Sequence, residues 1–309
     1  MNLTGRPVDV HAPDGTRLHT RVFGAPDAPP IVLVHGVLCR IEFWQQQIEE
    51  LAEHFRVIAF DLRGHGASAA PRVRHYRLDD LAGDLDAVLD ATLSDGETAV
   101  LAGHSLGGIA ILAWARRFPA HVAARAAAVA LINTTPGDVL RHVDFLPFPE
   151  RYEPIRWWLA RLGARMTRMP TPRRIPFRHR LVARLAVGPG APAAIAHRVA
   201  ELATTTSARG RRGYGVMLVE LTETIDVAGL SVPALVIAST HDRITPPGRS
   251  VDMAGALPHL VDLVELAGGH SLPLEQPAYI SAALAALRRA TDSLTESPAL
   301  PVSVEENRM

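Results

Sequence analysis

Apolar residues along this chain fall into short uninterrupted runs, and these runs alternate with longer stretches in which apolar residues recur every three or four positions. An uninterrupted run rich in β-branched residues is typical of a parallel strand covered on both faces, and the longer spacing is typical of a helix. Before residue 134, the predicted strands are residues 31–34, 57–60, 99–102 and 126–132. The predicted helices there are residues 43–55, residues 78–93 and a segment that begins at residue 106.

The two ends of the pattern complete the predicted fold. Near the N-terminus, residues 8–10 and 17–23 flank an Asp-Gly dipeptide that favours a tight turn, which predicts two antiparallel edge strands. After residue 215 the alternation resumes with strands at 232–238 and 261–266 and helices at 247–256 and 278–290. Strands and helices at this spacing predict an α/β fold with a mostly parallel, doubly wound sheet.

The middle of the chain, from residue 135 to residue 215, has no clean strand pattern and is interrupted by several prolines. We interpret residues 135–215 as a helical cap insertion that divides the sheet core into a first part, residues 1–134, and a second part, residues 216–290. Residues 291–309 are polar and interrupted by proline, which is typical of a flexible tail.

Composition narrows the functional classes. The 309 residues are 48% hydrophobic, which excludes a globally disordered chain, and their formal net charge of zero argues against a general nucleic-acid-binding protein. The single cysteine, Cys39, excludes an intrachain disulfide and is expected to be a buried, unreactive thiol. The N-terminus lacks the apolar core of a signal peptide, and no run approaches the roughly 18 apolar residues of a membrane span. These features predict a soluble, cytoplasmic protein.

The first candidate for chemistry is the stretch Gly103-His104-Ser105-Leu106-Gly107, which fits the pattern G-x-S-x-G. It lies between a predicted buried strand and a predicted helix, the context that defines a nucleophile elbow. In such an elbow the serine has a strained backbone conformation, and a side chain at position 103 or 107 would collide with the neighbouring strand or helix. The pattern therefore predicts Ser105 as a nucleophile.

Ser105 requires a base and an acid to orient that base. His270 follows the predicted strand 261–266 on a glycine-rich loop, and histidine can take and return a proton near neutral pH. Asp242 follows the strand that ends at residue 238, with Asp138 as an alternative acid. The order Ser, Asp, His is the one associated with this kind of elbow, and each member follows a predicted strand. We expect Ser105, Asp242 and His270 to form a catalytic triad.

An acyl-transfer reaction also requires two N–H donors for the oxyanion. One predicted donor is the N–H of Leu106, directly after the nucleophile. The other is the N–H of Val37, in the loop after the predicted strand 31–34, where Gly36 allows the backbone to approach closely.

Together these motifs resemble the α/β-hydrolase superfamily over about residues 8 to 289. The resemblance is carried by His35-Gly36, the pattern Asp61-x-x-Gly64-His65-Gly66-x-Ser68, the elbow at Ser105, Asp242 and Gly269-His270. It implies chemistry without a metal or a cofactor, and a variable cap that sets the substrate. The serine departs from the haloalkane dehalogenase and epoxide hydrolase branches, which use aspartate at this position. Asp61, Arg63 and His65 are expected to brace the site and not to react.

The predicted function is that of a serine hydrolase that cleaves a carboxylic ester with a small or lipid-like acyl group through an acyl-enzyme. A thioesterase, a lactonase or amidase, a C–C bond hydrolase and a cofactor-free, haloperoxidase-like perhydrolase could use the same triad. Outside catalysis, the alternative is a ligand-binding member of the fold.

The pocket and the partners are predicted more loosely. Candidate pocket residues are His35, Gly36, His104, Trp157 and Trp158, with His104 expected to pack beside the nucleophile and not to act as a second base. The expected partner is a small ester with an apolar acyl part and not a nucleic acid; no oligomeric state follows from the sequence.

The cap segment is strongly basic. Residues 136–215 contain 15 arginines and five acidic residues, a net charge of +10, and five of these arginines lie within residues 173–184. We interpret this as a solvated cap face paired with the acidic core. The alternative is a basic lid that makes peripheral contact with an anionic membrane.

Overall fold

The computed structural model describes residues 4–71, 76–142, 158 and 185–295. Eight strands form one sheet in the spatial order β1-β2-β4-β3-β5-β6-β7-β8. The strands are β1 (Arg6–His11), β2 (Arg17–Phe23), β3 (Pro30–Val34), β4 (Arg56–Phe60), β5 (Ala99–His104), β6 (Ala126–Ile132), β7 (Ala234–Ser239) and β8 (Leu260–Leu266). The pairs β1–β2 and β2–β4 are antiparallel and all other neighbouring pairs are parallel, which confirms the predicted mostly parallel sheet.

Helices connect the strands. They are α1 (Gln45–Leu51), α2 (Leu78–Thr92), α3 (Leu106–Arg117), α4 (Pro119–Arg125), α5 (Val139–His142), α6 (Ala193–Thr205), α7 (Ala208–Glu220), α8 (Pro247–Ala256), α9 (Leu272–Glu275) and α10 (Pro277–Thr295). The predicted helix 43–55 is shorter than its apolar pattern suggested, since a 3-10 turn at Ile41–Trp44 precedes α1 and the helix ends at Leu51. In the described part of the chain, no helix has the length and apolarity required to cross a membrane.

The central strands bury both of their faces, which explains why their sequences are uninterrupted apolar runs. In β3, Val32 and Val34 enter a core that includes side chains of α2 and α3. Ile31 and Leu33 point the other way, into a core that includes side chains of α1 and α10. All four are fully buried, and each such side chain contributes about 1.5–3 kcal/mol of hydrophobic stabilisation.

The last helix is longer than its apolar periodicity predicts. The sequence pattern placed its end at residue 290 and a flexible tail from residue 291, but α10 continues to Thr295. The Thr291 hydroxyl donates to the carbonyl of Arg288, and the Arg288 guanidinium contacts Asp292 at 2.9 Å. These contacts one helical turn apart support the additional residues, so residues 291–295 are helical and the tail assignment is corrected there. The remainder of the predicted tail, residues 296–309, lies outside the described residues.

The proposed cap segment is described only in part. Its described residues contain α5, α6 and most of α7. Among these described residues there is no strand, and the β-type pairing present is an isolated bridge between Gly137 and Thr224. Trp157 and the arginine-rich stretch 173–184 lie outside the described residues, and Trp158 is 58% exposed. The cap boundaries at residues 135 and 215 stay a prediction.

Candidate active site

Ser105 lies at the sharp turn between β5 and α3. Its backbone angles, φ 53° and ψ −120°, fall in a region that residues other than glycine rarely adopt. Two neighbours hold it there. The Ser105 N–H donates to the carbonyl of Ile132 at 3.0 Å, and the Thr134 hydroxyl donates to the carbonyl of Ser105 at 2.7 Å. The elbow conformation is therefore fixed by strand β6 and the residues that follow it.

The glycines of the elbow allow close contact between backbones. A Cβ at Gly103 would lie 2.6 Å from the nitrogen of Gly108, inside α3. A Cβ at Gly107 would lie 2.1 Å from the carbonyl oxygen of Val34, on β3. The prediction that side chains at these two positions would collide with the neighbouring helix and strand is confirmed.

The structure brings Ser105, His270 and Asp242 into direct contact. His270 Nε2 lies 2.8 Å from the Ser105 Oγ, and His270 Nδ1 lies 2.8 Å from Asp242 Oδ2. All three residues are buried, with at most 7% of each exposed. Because a carboxylate only accepts, Nδ1 carries the proton, and Nε2 is then free to accept from the serine hydroxyl. This arrangement can withdraw a proton from Ser105.

Asp242 is held as a carboxylate. Burial favours its neutral form, but electrostatic attraction to the His270 ring and hydrogen bonds from His270 and Thr245 outweigh burial and lower the pKa of Asp242 below its ordinary value. Its Oδ1 accepts from the N–H groups of Ile244 and Thr245, at 2.8 and 2.9 Å. Asp138, the alternative acid, instead pairs with Arg141 at 3.9 Å.

The two predicted oxyanion donors flank Ser105. Leu106 is the first residue of α3, where helix N–H groups have no partner within the helix. Val37 follows Gly36, whose Cβ position would lie 3.0 Å from the Ser105 Cβ, so this loop passes directly over the nucleophile. Within the described residues, neither N–H donates to another backbone group. The assignment of these two N–H groups as the oxyanion hole stays a prediction.

The loop that carries Val37 is held by the loop after β4. The N–H of Leu38 donates to His65 Nε2 at 3.0 Å, and the N–H of Ile41 donates to Asp61 Oδ1 at 2.8 Å. His35 lies between the two loops, since its Nε2 accepts from the N–H of Leu62 at 3.0 Å and its Nδ1 donates to the carbonyl of Gly36 at 2.7 Å. Leu38 has a φ of 62°, so these hydrogen bonds hold a left-handed residue next to the predicted donor.

These supporting groups are titratable and deeply buried. Burial lowers the pKa of His65 to about 4 and the pKa of His35 well below its ordinary value, so both rings are neutral at neutral pH. Burial also raises the pKa of Asp61 to about 6, against two hydrogen bonds from backbone N–H groups. The contacts of Asp61 and His65 agree with the expectation that they brace the site.

Arg63 braces a different part of the structure. Its guanidinium forms two hydrogen bonds to the carboxylate of Asp84, and both residues are fully buried. The Tyr214 hydroxyl, on α7, donates to the Arg63 carbonyl at 3.1 Å. Arg63 therefore ties the loop after β4 to α2, while its backbone contacts α7.

Sequence reasoning missed two polar residues near His270. The Thr245 hydroxyl lies 2.7 Å from Asp242 Oδ2 and 2.9 Å from the carbonyl of Asn133. The Asn133 side-chain amide lies 2.9 Å from the carbonyl of Gly269 and 3.1 Å from that of His270. Asn133 directly follows β6, and this position at the carboxyl end of a strand is the signal that could have identified it.

Two further expectations concern Cys39 and metals. Cys39 is partly buried, and burial raises the pKa of its thiol to about 12, so at neutral pH it is the weakly nucleophilic thiol form. Among the described residues, no cluster of three or more histidine, cysteine, aspartate or glutamate side chains is suited to hold a metal ion.

Comparison with known proteins defines the class. Residues 29–277 match the family of the alpha/beta hydrolase fold, and the chain belongs to that family. This agrees with the sheet order, with the elbow after β5, and with the positions of Asp242 and His270 after β7 and β8.

Individual relatives match either a shorter part of this chain than the family does or almost its full length at low sequence identity. A protein of Mycobacterium tuberculosis named probable oxidoreductase EphD is 37% identical over 109 residues, which is 35% of this chain and only 18% of that relative's length. An esterase from Rhodococcus sp. ECU1013 has a similar structure, with a TM-score of 0.75 at 23% identity over 94% of this chain and all of the other. An enol-lactonase from Burkholderia xenovorans LB400 has a TM-score of 0.69 at 26% identity, over 91% of this chain and 99% of the other.

Proposed function

We propose that this protein is a serine hydrolase that cleaves carboxylic esters. The observation that supports it most strongly is the continuous series of contacts from Ser105 through His270 to Asp242, at 2.8 Å each. Serine is a weak nucleophile unless an adjacent base removes its proton, and a base works best when a third group fixes its orientation. These three residues meet that requirement.

In the proposed reaction, the Ser105 Oγ attacks the ester carbonyl carbon while His270 Nε2 takes the hydroxyl proton. The carbonyl oxygen becomes an oxyanion, which the N–H groups of Val37 and Leu106 stabilise. When the tetrahedral intermediate collapses, His270 gives its proton to the alcohol oxygen and the acyl group stays on Ser105. A water molecule then attacks the acyl carbon, His270 takes a proton from it, and the acid leaves as the serine regains its proton.

A direct test replaces the nucleophile. Ser105→Ala should abolish hydrolysis of p-nitrophenyl esters, and Asp242→Asn should lower kcat by about 10⁴-fold because the histidine tautomer is no longer fixed. Ser94→Ala, an exposed serine before β5, is the matched control and should retain full activity. Undiminished turnover by Ser105→Ala would refute the mechanism.

A lactonase is the second candidate, favoured by the similarity to the enol-lactonase at 26% identity over almost the entire length of both chains. A lactone is an internal ester, so the same residues would act and the leaving alcohol would stay attached to the acid. Comparing kcat/KM for p-nitrophenyl esters, acyl thioesters and lactones in one preparation separates these substrates. A ligand-binding protein without catalysis would fail to react with a fluorophosphonate probe.

The substrate would enter beneath the proposed cap, residues 135–215. Helix α7, which begins in this segment, contacts the loop after β4. The Ser207 hydroxyl donates to the carbonyl of Gly64 at 3.0 Å, and the Tyr214 ring lies 4.7 Å from that of His65. These contacts connect the proposed cap to the loop that braces Val37. The alternative of a membrane-binding lid stays a prediction, since the arginine-rich stretch 173–184 lies outside the described residues.

A further inference from the structure

The backbone carbonyl of His270 is contacted by two side chains that the reaction itself does not use. His104 Nε2 lies 2.6 Å from this oxygen, and Asn133 Nδ2 lies 3.1 Å from it. His104 directly precedes the nucleophile on β5, and Asn133 directly follows β6. Two neighbouring strands therefore hold the histidine by its main chain, while Asp242 and Ser105 contact its ring.

The protonation of His104 follows from this contact. A carbonyl oxygen only accepts, so Nε2 carries the proton and Nδ1 is left bare. Among the described residues, the Nδ1 atom is buried without a hydrogen-bond partner, and a Cβ added at Gly36 would lie 2.9 Å from it. Burial, together with the neighbouring His270, lowers the pKa of His104 to about 3. The ring is therefore a fixed neutral donor, even when His270 carries the proton of Ser105.

The position of the His104 ring is fixed by its neighbours. It stacks on Phe43, with ring centroids 4.6 Å apart, and packs at a tilt against the ring of His270 at 4.9 Å. The donor that contacts His270 therefore belongs to a ring with little freedom to move.

Asn133 holds the same loop from the other side. Its side-chain amide also lies 2.9 Å from the carbonyl of Gly269 and 2.8 Å from the Ser239 hydroxyl. Its own carbonyl accepts from the hydroxyl of Thr245, which contacts Asp242. Asn133 has a φ of 43°, a conformation that asparagine tolerates better than most residues. It thus connects the loop of the base to the loop of the acid.

We infer that His104 and Asn133 are positioning residues that clamp the backbone carbonyl of His270 and keep its imidazole aligned between Asp242 and Ser105. The inference rests on the proposed function. Proton transfer needs Nε2 at hydrogen-bond distance from the serine Oγ, and a displacement of about 1 Å can lower the rate by about 10²-fold. Loss of the clamp should therefore lower kcat and leave KM almost unchanged.

Paired variants separate the hydrogen bond from the packing. His104→Phe keeps a ring against Phe43 but cannot donate, whereas His104→Gln loses the ring but places an amide N–H near the position of Nε2. Asn133→Asp has the same shape and tolerates the same backbone conformation, but it turns a donor toward the carbonyls into an acceptor. We expect kcat for a p-nitrophenyl ester to fall 10- to 100-fold in His104→Phe and Asn133→Asp, with KM within about threefold of wild type. His104→Gln should recover most of the lost kcat.

A second readout does not require turnover. The His270 Nδ1 proton, hydrogen-bonded to Asp242, should give a downfield proton NMR signal in the wild type and in His104→Gln. In His104→Phe and Asn133→Asp this signal should be lost or broadened, while urea unfolding shows that each variant is folded. If His104→Phe fails to fold, Asn133→Asp and His104→Gln carry the same comparison.

The outcomes are distinct. Wild-type kcat and an intact NMR signal in both His104→Phe and Asn133→Asp would overturn the clamp while leaving the triad in place. Wild-type kcat in His104→Phe together with a loss of kcat in His104→Gln would show that ring packing, and not the donor, is what matters, and would also overturn it. Activity retained by Ser105→Ala would overturn the proposed function itself. The His104 and Asn133 variants test only the clamp, so the two failures can be told apart.

Discussion

The loop after β3 and the loop after β8 both flank Ser105. Side chains contact the first loop mainly at its backbone N–H groups and the second mainly at its backbone carbonyls. In the loop after β3, the contacts with the loop after β4 are mostly made by backbone donors. The N–H groups of Leu38 and Ile41 are received by His65 and Asp61. In the loop after β8, the backbone mostly accepts, since the carbonyls of Gly269 and His270 receive the amide of Asn133 and the latter also receives the ring N–H of His104.

This difference determines how each loop responds to acid. A histidine nitrogen stops accepting once it is protonated, so the contact of His65 with the loop after β3 is titratable. The amide of Asn133 does not titrate, and a proton added to His104 would go to Nδ1 and leave the Nε2–H donor in place. The part of the site that holds the predicted oxyanion donor Val37 should therefore be more acid-sensitive than the part that holds His270.

The loops also differ in what lies against their glycines, and this gives the largest expected effect. A Cβ at Gly269 would lie 2.2 Å from the backbone nitrogen of Gly188, whereas a Cβ at Gly36 would meet side-chain atoms of His104 and Ser105 at 2.9 and 3.0 Å. Backbone atoms cannot rotate away. We therefore expect Gly269→Ala to lower the free energy of unfolding by more than about 3 kcal/mol and Gly36→Ala by about 1–2 kcal/mol.

Urea unfolding at neutral pH measures both losses. Gly255→Ala is the control, because it lies in α8 with nothing within 4 Å of the added Cβ, and it should be as stable as the wild type or slightly more stable. A smaller loss for Gly269→Ala than for Gly36→Ala would contradict the view that the loop after β8 is the more tightly packed of the two.

The next effect concerns pH. The pKa of His65 is about 4 in the folded protein against an ordinary value of 6.5, so the unfolded chain binds this proton first as the pH falls. The stabilisation from neutral His65 is complete above pH 6.5 and is lost as the pH falls toward 4, with a slope of up to about 1.4 kcal/mol per pH unit. In His65→Gln, an amide oxygen can accept from Leu38 without titrating, so stability should fall less steeply over this window.

The measurement is the free energy of unfolding of both proteins between pH 7 and pH 4. Asp61 acts in the opposite direction, since its raised pKa of about 6 means that the folded state holds its proton more tightly. It is present in both proteins, so its contribution cancels in the difference. Parallel curves for wild type and His65→Gln would disprove a buried, neutral His65 as a source of acid sensitivity.

The outline of this site can be predicted from the sequence because its main residues follow predicted strands. Ser105 and Asp242 each follow an uninterrupted apolar run, and His270 follows a strand in which two acidic residues interrupt the apolar ones. Parallel strands bring their carboxyl ends to one edge of the sheet. The groups that position these residues do not follow from periodicity. Asn133 and Thr245 act through side-chain contacts with the backbone of other loops, which depend on strand register and on left-handed backbone at Asn133.

Element boundaries show the same limit. The predicted helix 247–256 matches α8, because its proline start and its apolar spacing agree. The end of α10 was placed five residues too early, since Arg288, Thr291 and Asp292 extend it through polar contacts that an apolar pattern does not register. Sequence thus locates what is buried more reliably than what is held by hydrogen bonds.

The smallest expected effect tests Glu275, a side chain that accepts from the backbone of the loop after β8. Glu275 receives the N–H of Gly269 at 3.0 Å and that of Gly188 at 2.8 Å through the same oxygen, Oε2. Burial outweighs these two hydrogen bonds and raises the pKa of Glu275 above its ordinary value, so this carboxyl favours folding more below pH 4.5 than at neutral pH.

Glu275→Gln keeps one oxygen that can accept from both N–H groups. It should change the free energy of unfolding at neutral pH by less than about 1 kcal/mol, as urea unfolding would measure, and leave ester hydrolysis almost unchanged. A loss as large as that of Gly269→Ala would mean that the carboxylate, and not backbone packing and the side-chain donors, holds the loop after β8, and the contrast between the two loops would disappear.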